Sequence, residues 1–162
     1  MSPKEADSAI VARTPVRRNF TVEQADDALV LVGPITRDLV REYQEMMRLR
    51  SEREERSFSI DQPDELDEIN LSIDEKARRI QSLLDELEEV GCQAKDLVTG
   101  LVDFPAVYQG RNVLLCWRLG EDRIGWWHEL QGGFAGRQAI DEEFRRGARP
   151  PEGADNPPSE LS

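Results

Sequence analysis

The chain of 162 residues is poor in the residue types that build disulfide frameworks, metal clusters and membrane spans. It has two cysteines, Cys92 and Cys116, a single histidine, and only 6% aromatic residues. Two cysteines form no disulfide framework, which favours a reducing compartment. No segment approaches the roughly 18 consecutive apolar residues of a membrane helix, and residues 1–20 lack the apolar core of a secretory signal. We therefore expect a cytoplasmic protein without membrane contact.

Basic charge is also scarce, since the formal net charge is −12. The acidity is concentrated in residues 57–92, where three basic and eleven acidic groups give −8. A surface of this kind repels phosphate backbones, so we expect no duplex nucleic acid as a partner. The simplest interpretation of this acidic segment is a solvated helix face that keeps the protein in solution.

The first periodic segment predicts a long helix. Thr21 followed by Gln24 has the pattern of a capping box, and apolar residues then recur every three or four positions. This stripe consists of Ala25, Ala28, Val32, Ile35, Leu39, Tyr43 and Met46. Gly33 and Pro34 interrupt the stripe, and a proline inside a helix removes one backbone hydrogen bond. The stripe keeps its phase across the interruption, which predicts one helix kinked at Gly33-Pro34.

A second helix is predicted from about residue 64 to 90, ended by Gly91 at the position after the C-cap. Its stripe consists of Leu66, Ile69, Ile73, Ala77, Ile80, Leu84 and Leu87. A second capping pattern at Ser72 and Glu75 leaves open whether 64–71 and 72–90 form one helix or two. With a loop from Ser57 to Pro63, the two helices form an antiparallel hairpin with a seam close to that of a coiled coil.

The segment from Gly100 to Gln138 holds all three tryptophans, the histidine and seven of the eleven glycines. An extended stretch within 97–104 is expected to stop at Pro105, and turn residues separate it from strands at 112–118 and 124–129. These patterns predict a three-stranded antiparallel β-meander. We therefore predict an α+β fold, with a helical hairpin over 19–92 packed against the meander and glycine-rich loop of 93–138.

The ends of the chain have no apolar period. Residues 1–18 and 147–162 are polar and rich in proline, which predicts a disordered N-terminal arm and a disordered C-terminal tail. The remaining residues, 19–146, are the size of a single domain.

Five short motifs occur in order along the predicted domain. They are FTVEQAD from Phe20, GLVDFPA from Gly100, LCWRLGEDRI from Leu115, WWH from Trp126 and GGFAGRQ from Gly132. Together they resemble a family of uncharacterised bacterial proteins, domain of unknown function 2203, over residues 20–138. The chain departs mildly from the family pattern FTLEEAN at Gln24 and Asp26. The resemblance implies a small family domain and carries no catalytic assignment.

His128 is the first candidate for chemistry. An imidazole next to the carboxylate of Glu129 could act as a metal ligand or a general base, or the histidine could anchor the end of a strand through a hydrogen bond. Cys116 could join His128 and Glu129 as a metal ligand. No HxH or HExxH pattern accompanies these residues.

The strand register decides whether Cys116 and His128 share a face of the sheet. A two-residue turn after the second predicted strand places Val113 opposite His128, and Cys116 then lies on the other face. A three-residue turn places Leu114 opposite His128, and Cys116 and His128 then lie on the same face. The sequence leaves both registers open.

Asp103 lies between Val102 and Phe104, so its carboxylate is expected to be buried and to need a partner. Arg111, Arg118 and Arg137 are the candidates, and we predict a pair with Arg137. Trp117 and Trp127 are expected as core or interface anchors, or as walls of a ligand site.

The loop of residues 132–137 has two interpretations. Its amides could bind an anion with Arg137 as the charge partner, or it is a glycine-rich turn that holds Phe134 in the core.

Two classes of function are consistent with these patterns. The first is a non-enzymatic interaction module without a cofactor, which homodimerises or binds a protein partner through the helical hairpin. This interpretation is based on the apolar stripes of the two helices, which are larger than one meander can cover. The alternative is a small-ligand, anion or metal-binding protein, or an enzyme, with its site in 100–138. Its candidate residues are Asp103, Arg111, Trp117, Trp127, His128 and Arg137.

Overall fold

The structure is a computed structural model that describes residues 18–58 and 63–147. Residues 1–17 and 148–162, which are nearly all of the two predicted disordered segments, and most of the predicted loop 57–63 lie outside these residues. The described elements are, in order, α1 (Val22–Ser57), α2 (Pro63–Val90), β1 (Gln93–Asp96), β2 (Leu101–Tyr108), β3 (Arg111–Arg118), β4 (Trp126–Glu129), a 3-10 turn (Phe134–Gly136), β5 (Gln138–Ala139) and α3 (Glu142–Gly147). The predicted α+β class, with a hairpin of two long packed helices, is confirmed.

Helix α1 begins with the predicted capping box. The Gln24 amide donates to Oγ1 of Thr21 at 3.1 Å, and the Thr21 amide donates to Oε1 of Gln24 at 3.0 Å. The helix then continues through Pro34 to Ser57 as one element. Two residues after the proline, Thr36 is buried and its hydroxyl donates to the Val32 carbonyl at 2.8 Å.

Helix α2 is continuous, so the alternative of two helices divided near residue 72 is wrong. It ends as predicted at Gly91, whose φ of 108° is readily adopted only by glycine. The amides of Gly91 and Cys92 both reach back to the Leu87 carbonyl at 3.1 Å. None of the described helices is long and apolar enough to cross a membrane.

The helical hairpin has two packing regions. Near the sheet, Val32 and Leu39 of α1 and Leu87 of α2 join the main core. Farther along the hairpin the two helices pack mainly on each other, through a second cluster of Met46, Ile69, Ile73 and Ile80. The sheet therefore covers only one end of the hairpin.

The sheet has five antiparallel strands in the order β1-β2-β3-β4-β5, and the predicted three-stranded meander is wrong in number. The predicted strand end at Pro105 is also wrong, because β2 continues to Tyr108. The paired part of β1 reaches only Asp103, so Pro105 lies beyond it on an open edge. The Pro105 carbonyl faces that edge and accepts from the Phe20 amide at 2.7 Å. A proline whose nitrogen points to an open edge interrupts no ladder bond.

The β1–β2 turn brings the sheet close to the helices. Gly100 has a φ of 77°, and a Cβ at this position would lie 2.8 Å from Cβ of Leu119 and 3.1 Å from side-chain atoms of Thr36 and Val40. Only glycine allows this approach without strain.

Alternation along the strands separates an inner and an outer face of the sheet. The inner face packs on the helices and consists of Val102, Phe104, Ala106, Tyr108, Val113, Leu115, Trp117 and Trp127. Helix α3 closes one end of this core, since the buried ring of Phe144 stacks on Tyr108 with 4.6 Å between centroids. Asp103, Cys116 and His128 belong to the opposite set of residues and lie on the outer face.

Candidate metal centre

The register between β3 and β4 is the one that places Cys116 and His128 on the same face. Leu114 pairs with His128 and Cys116 pairs with Trp126. The connection between these strands spans residues 119–125 and is longer than either turn considered from the sequence. It is held by the Asp26 carboxylate, which accepts from the Ile124 amide at 2.6 Å, and by the Trp117 indole, which donates to the Glu121 carbonyl at 2.9 Å.

Three side chains from three neighbouring strands meet on the outer face. Asp103 of β2 pairs directly with Cys116 of β3, and His128 of β4 lies on the same face. One carboxylate oxygen, the Cys116 sulfur and one ring nitrogen of His128 all lie within 4.8 Å of one another. All three residues are buried, with exposed fractions of 4%, 1% and 3%. Full burial is unusual for the outer face of a sheet, and the loop that follows β4 provides part of the cover.

The histidine is held at both ring nitrogens. Nδ1 lies 2.7 Å from the Glu129 carbonyl, and Nε2 lies 3.2 Å from Oδ1 of Asp103. A carbonyl oxygen can only accept, so Nδ1 carries a hydrogen and donates it. Nε2 is then the ring nitrogen that faces the Asp103 carboxyl.

The thiol of Cys116 is kept protonated by its surroundings. Burial, and to a lesser extent the neighbouring Asp103 carboxylate, raises the pKa of Cys116 to about 11, while Arg137 opposes the rise. A thiol with this pKa is inert as a nucleophile at neutral pH. It becomes a thiolate when a cation takes the place of its proton.

The predicted pair between Asp103 and Arg137 is wrong, and Arg111 is not the partner either. Arg137 donates to the Glu121 carboxylate at 2.6 Å, and Arg111 donates to Glu129 at 2.7 Å. The partner of Asp103 is His128, because these residues share the outer face while Arg111 and Glu129 lie at the end of the inner face. Glu129 was a candidate metal ligand, but its side chain is directed away from His128.

Arg137 still contributes to this region. Its guanidinium lies between the rings of Trp126 and Phe134, at 5.0 and 4.9 Å from their centroids. It also donates to the Cys116 carbonyl at 3.1 Å, and its Nε is buried without a partner among the described residues. These contacts fasten the loop after β4 over the sheet. Phe134 is 47% exposed, so the expectation that this loop holds Phe134 in the core is wrong.

The other sequence candidates lie elsewhere. Trp117 and Trp127 are inner-face core residues, and Trp127 packs against Tyr108 and Phe144 at 5.1 and 5.0 Å between centroids. Arg111 lies over the rings of Tyr108 and Trp127, at the far end of the same core. The structure therefore brings together Asp103, Cys116 and His128, with Arg137 beside them.

A pocket of about 270 Å³ opens above the three buried side chains. Its lining residues are Lys95, Leu101, Asp103, Leu114, Cys116, His128, Leu130, Gln131, Gly133 and Phe134. Sequence reasoning missed Lys95, Leu130 and Phe134 as site residues. The signal that could have found Lys95 is weak, because a lone lysine in a short polar strand has no distinctive spacing.

These features define a small α+β domain in which a helical hairpin supports a sheet with a buried Asp-Cys-His cluster on its outer face. The chain belongs to the uncharacterized conserved protein family of domain of unknown function 2203, whose model matches residues 18–140. The matched range includes all three residues of the cluster, and it confirms the resemblance found in the sequence. No curated protein and no solved structure matches the chain significantly.

Proposed function

We propose that this domain binds a divalent transition-metal ion of the zinc type through Asp103, Cys116 and His128. The observation that carries the proposal is the convergence of a carboxylate oxygen, a sulfur and an imidazole nitrogen within 4.8 Å. Ligand atoms around a tetrahedral zinc ion lie about 3.5 Å apart, given bonds of about 2.0–2.3 Å. Side-chain adjustments of about 1 Å therefore suffice to bring the three atoms onto one ion.

The chemical types of the ligands favour zinc over calcium or magnesium. Thiolate and imidazole ligands suit zinc and its neighbours in the first transition row, whereas calcium and magnesium take oxygen ligands. A buried carboxyl group, thiol and imidazole are costly to desolvate when they are charged and unpaired. A divalent cation offsets this cost, because the carboxylate and the thiolate together balance its two positive charges.

The hydrogen bond of His128 supports the same proposal. Histidines that bind metals usually donate their second ring hydrogen to a carboxylate or a backbone carbonyl, which fixes the tautomer and the ring orientation. The Nδ1 contact with the Glu129 carbonyl at 2.7 Å leaves Nε2 as the ligand atom. All three ligands come from paired strands, so the site is largely formed before an ion binds.

Metal content and titration test the proposal. We expect purified protein stripped of metal to bind one Zn²⁺ or Co²⁺ per chain, and the Co²⁺ form to show a thiolate-to-cobalt charge-transfer band. The variants Asp103→Asn, Cys116→Ala and His128→Gln should each weaken binding by 10-fold or more, in line with the loss of a ligand or its support.

Cys92→Ala is the matched control, because Cys92 is an equally buried thiol in the main core beneath the helices. It should leave metal affinity and the charge-transfer band unchanged. Far-UV circular dichroism separates loss of the site from loss of the fold. Absence of stoichiometric metal binding in folded wild-type protein would overturn the proposal. A metal affinity equal to that of the wild type in all three ligand variants would also overturn it.

A second candidate function is homodimerisation through the helical hairpin. The chain itself buries most of the two apolar stripes, but large apolar side chains stay exposed on the helices, including Val30 at 84%, Leu31 at 57% and Leu71 at 63%. These side chains support a second copy of the chain as the partner. Light scattering at tens of micromolar tests this candidate. A dimer mass for the unaltered protein and a lower mass for Leu31→Glu would support it, and a monomer mass for the unaltered protein would contradict it.

A further inference from the structure

The three proposed ligands leave one position of a tetrahedral zinc ion to be filled. Among the described residues, no fourth histidine, cysteine, aspartate or glutamate joins Asp103, Cys116 and His128. Structural zinc sites are normally closed by four protein ligands, whereas sites that bind exogenous molecules keep one position open. A three-ligand site therefore needs an external molecule to complete it.

The space next to the cluster can hold that molecule. Asp103, Cys116 and His128 themselves line the pocket of about 270 Å³, so an ion held by them borders this pocket. The apolar part of its other walls consists of Leu101, Leu114, Leu130 and Phe134, and the remaining lining residues are Lys95, Gln131 and Gly133. Pockets of this kind bind a ligand's apolar body through their walls and orient it through a few polar groups.

Lys95 supplies the one positive charge among the pocket's lining residues. It is the extra residue of a β-bulge, because Ala94 pairs with Val102 while Asp96 pairs with Leu101. Bulges of this kind occur next to binding sites, where they redirect a side chain. Arg137 does not line the pocket and is paired with the Glu121 carboxylate, whereas Lys95 donates to the uncharged side chain of Gln93 at 3.2 Å.

Charge balance selects the class of ligand. The Asp103 carboxylate and the Cys116 thiolate neutralise a divalent ion, so a monoanion at the open position leaves one negative charge. The Lys95 ammonium offsets that single charge. A phosphate dianion would leave two negative charges against one lysine, which is less favourable in a partly apolar pocket.

We infer that the metal centre binds a small carboxylate with an apolar side group in this pocket. A carboxylate oxygen completes the coordination of the ion, Lys95 interacts with the charge, and Leu101, Leu130 and Phe134 cover the apolar body. This inference rests on the proposed metal function and adds the class of ligand to it.

Titration of the Co²⁺-loaded protein with acetate, 4-methylpentanoate and 4-methylpentanamide tests the inference, with the visible cobalt spectrum as the readout. We expect both acids to shift the spectrum in a saturable way. The longer acid should bind more tightly, by up to about fourfold for each fully buried carbon. The uncharged amide has the same shape and should bind much more weakly than its acid.

Lys95→Met is the variant that isolates the charge, because Lys95 is exposed and its replacement leaves the cluster intact. It should weaken binding of the acids to the Co²⁺-loaded protein by about fivefold, as expected for a partly exposed ion pair.

The outcomes distinguish failure of the carboxylate inference from failure of the proposed metal function. Cobalt that binds but does not respond to either acid at tens of millimolar refutes the carboxylate and leaves the metal function standing. Equal binding of the acid and the amide, or equal acid binding by wild type and Lys95→Met, also refutes it. Failure to bind cobalt at all refutes both.

Discussion

Zn²⁺ binding to the metal-free protein should release the proton of the Cys116 thiol. Burial, and to a lesser extent the Asp103 carboxylate, raises the pKa of this thiol to about 11, so the thiol is protonated at neutral pH. The hydrogen on Nδ1 of His128 stays in place, because it is donated to the Glu129 carbonyl.

The proton count sets the pH dependence of metal affinity. As long as this proton is bound in the free protein, the affinity for Zn²⁺ should rise about 10-fold per pH unit, since the logarithm of the binding constant changes by one for each proton released. The direction follows from competition, because a higher proton concentration at lower pH opposes binding of the ion, and the raised pKa of Cys116 extends this dependence to about pH 11.

Isothermal titration calorimetry at pH 7 measures the count directly. Titrations in several buffers of different ionisation enthalpy give the number of protons released as the slope of the apparent binding enthalpy. We expect the unaltered protein and the control Cys92→Ala to release the same number of protons, and Cys116→Ala to release about one fewer, because it has no thiol proton to displace.

One result would refute this reasoning. Equal proton counts in the wild type and in Cys116→Ala would mean that the thiol is not a ligand.

Three further predictions concern the fold. Pro34→Ala should keep the far-UV helical signal and raise the free energy of unfolding by up to about 3 kcal/mol, because α1 is already continuous through this position; loss of most helicity would contradict a single helix. Phe144→Ala should lower the free energy of unfolding in urea by about 3–5 kcal/mol, since Phe144 is 1% exposed and stacks on Tyr108; a loss under about 1 kcal/mol would mean that α3 is not part of the core. Burial raises the pKa of Cys92 from 9.0 to about 12 and that of Cys116 from 9.0 to about 11, so the unfolded chain loses both thiol protons first, and the stability of metal-free protein should fall as pH rises above about 9, by about 1.4 kcal/mol per unit for each thiol. Urea unfolding at pH 8 and pH 10 checks this; the fall should be about half as steep in Cys92→Ala, and an equally steep fall there would assign it to other groups.

The sequence by itself determined the helical part of the molecule, because the signals there are local. The capping box of Thr21 and Gln24 and the end at Gly91 each involve groups only a few residues apart. The apolar stripe, with its steps of three and four residues, predicted that α1 continues across Pro34. Burial of apolar side chains on both sides of the proline outweighs the one missing backbone hydrogen bond. The family resemblance was likewise visible in the motifs, and the matched range of 18–140 extends slightly beyond them.

The sheet was only partly predictable, because strand limits depend on what lies beside each strand. Pro105 predicted the end of a strand, yet its backbone faces an open edge where a missing amide hydrogen costs no ladder bond. The short strands β1 and β5 have little apolar pattern of their own and exist because β2 and β4 offer them partners.

The candidate site was decided by the tertiary structure. The cost of burying a lone carboxylate correctly predicted that Asp103 has a partner. Several residues could be that partner, and their distance from Asp103 along the sequence does not show which one it is. The register of β3 and β4 selected His128 by placing it on the face that already carried Asp103 and Cys116. Arg137 was drawn instead to Glu121 and to the rings of Trp126 and Phe134, because the loop after β4 folds back over the sheet. A shift of one residue in that register would have moved the histidine to the opposite face, since side chains alternate along a strand.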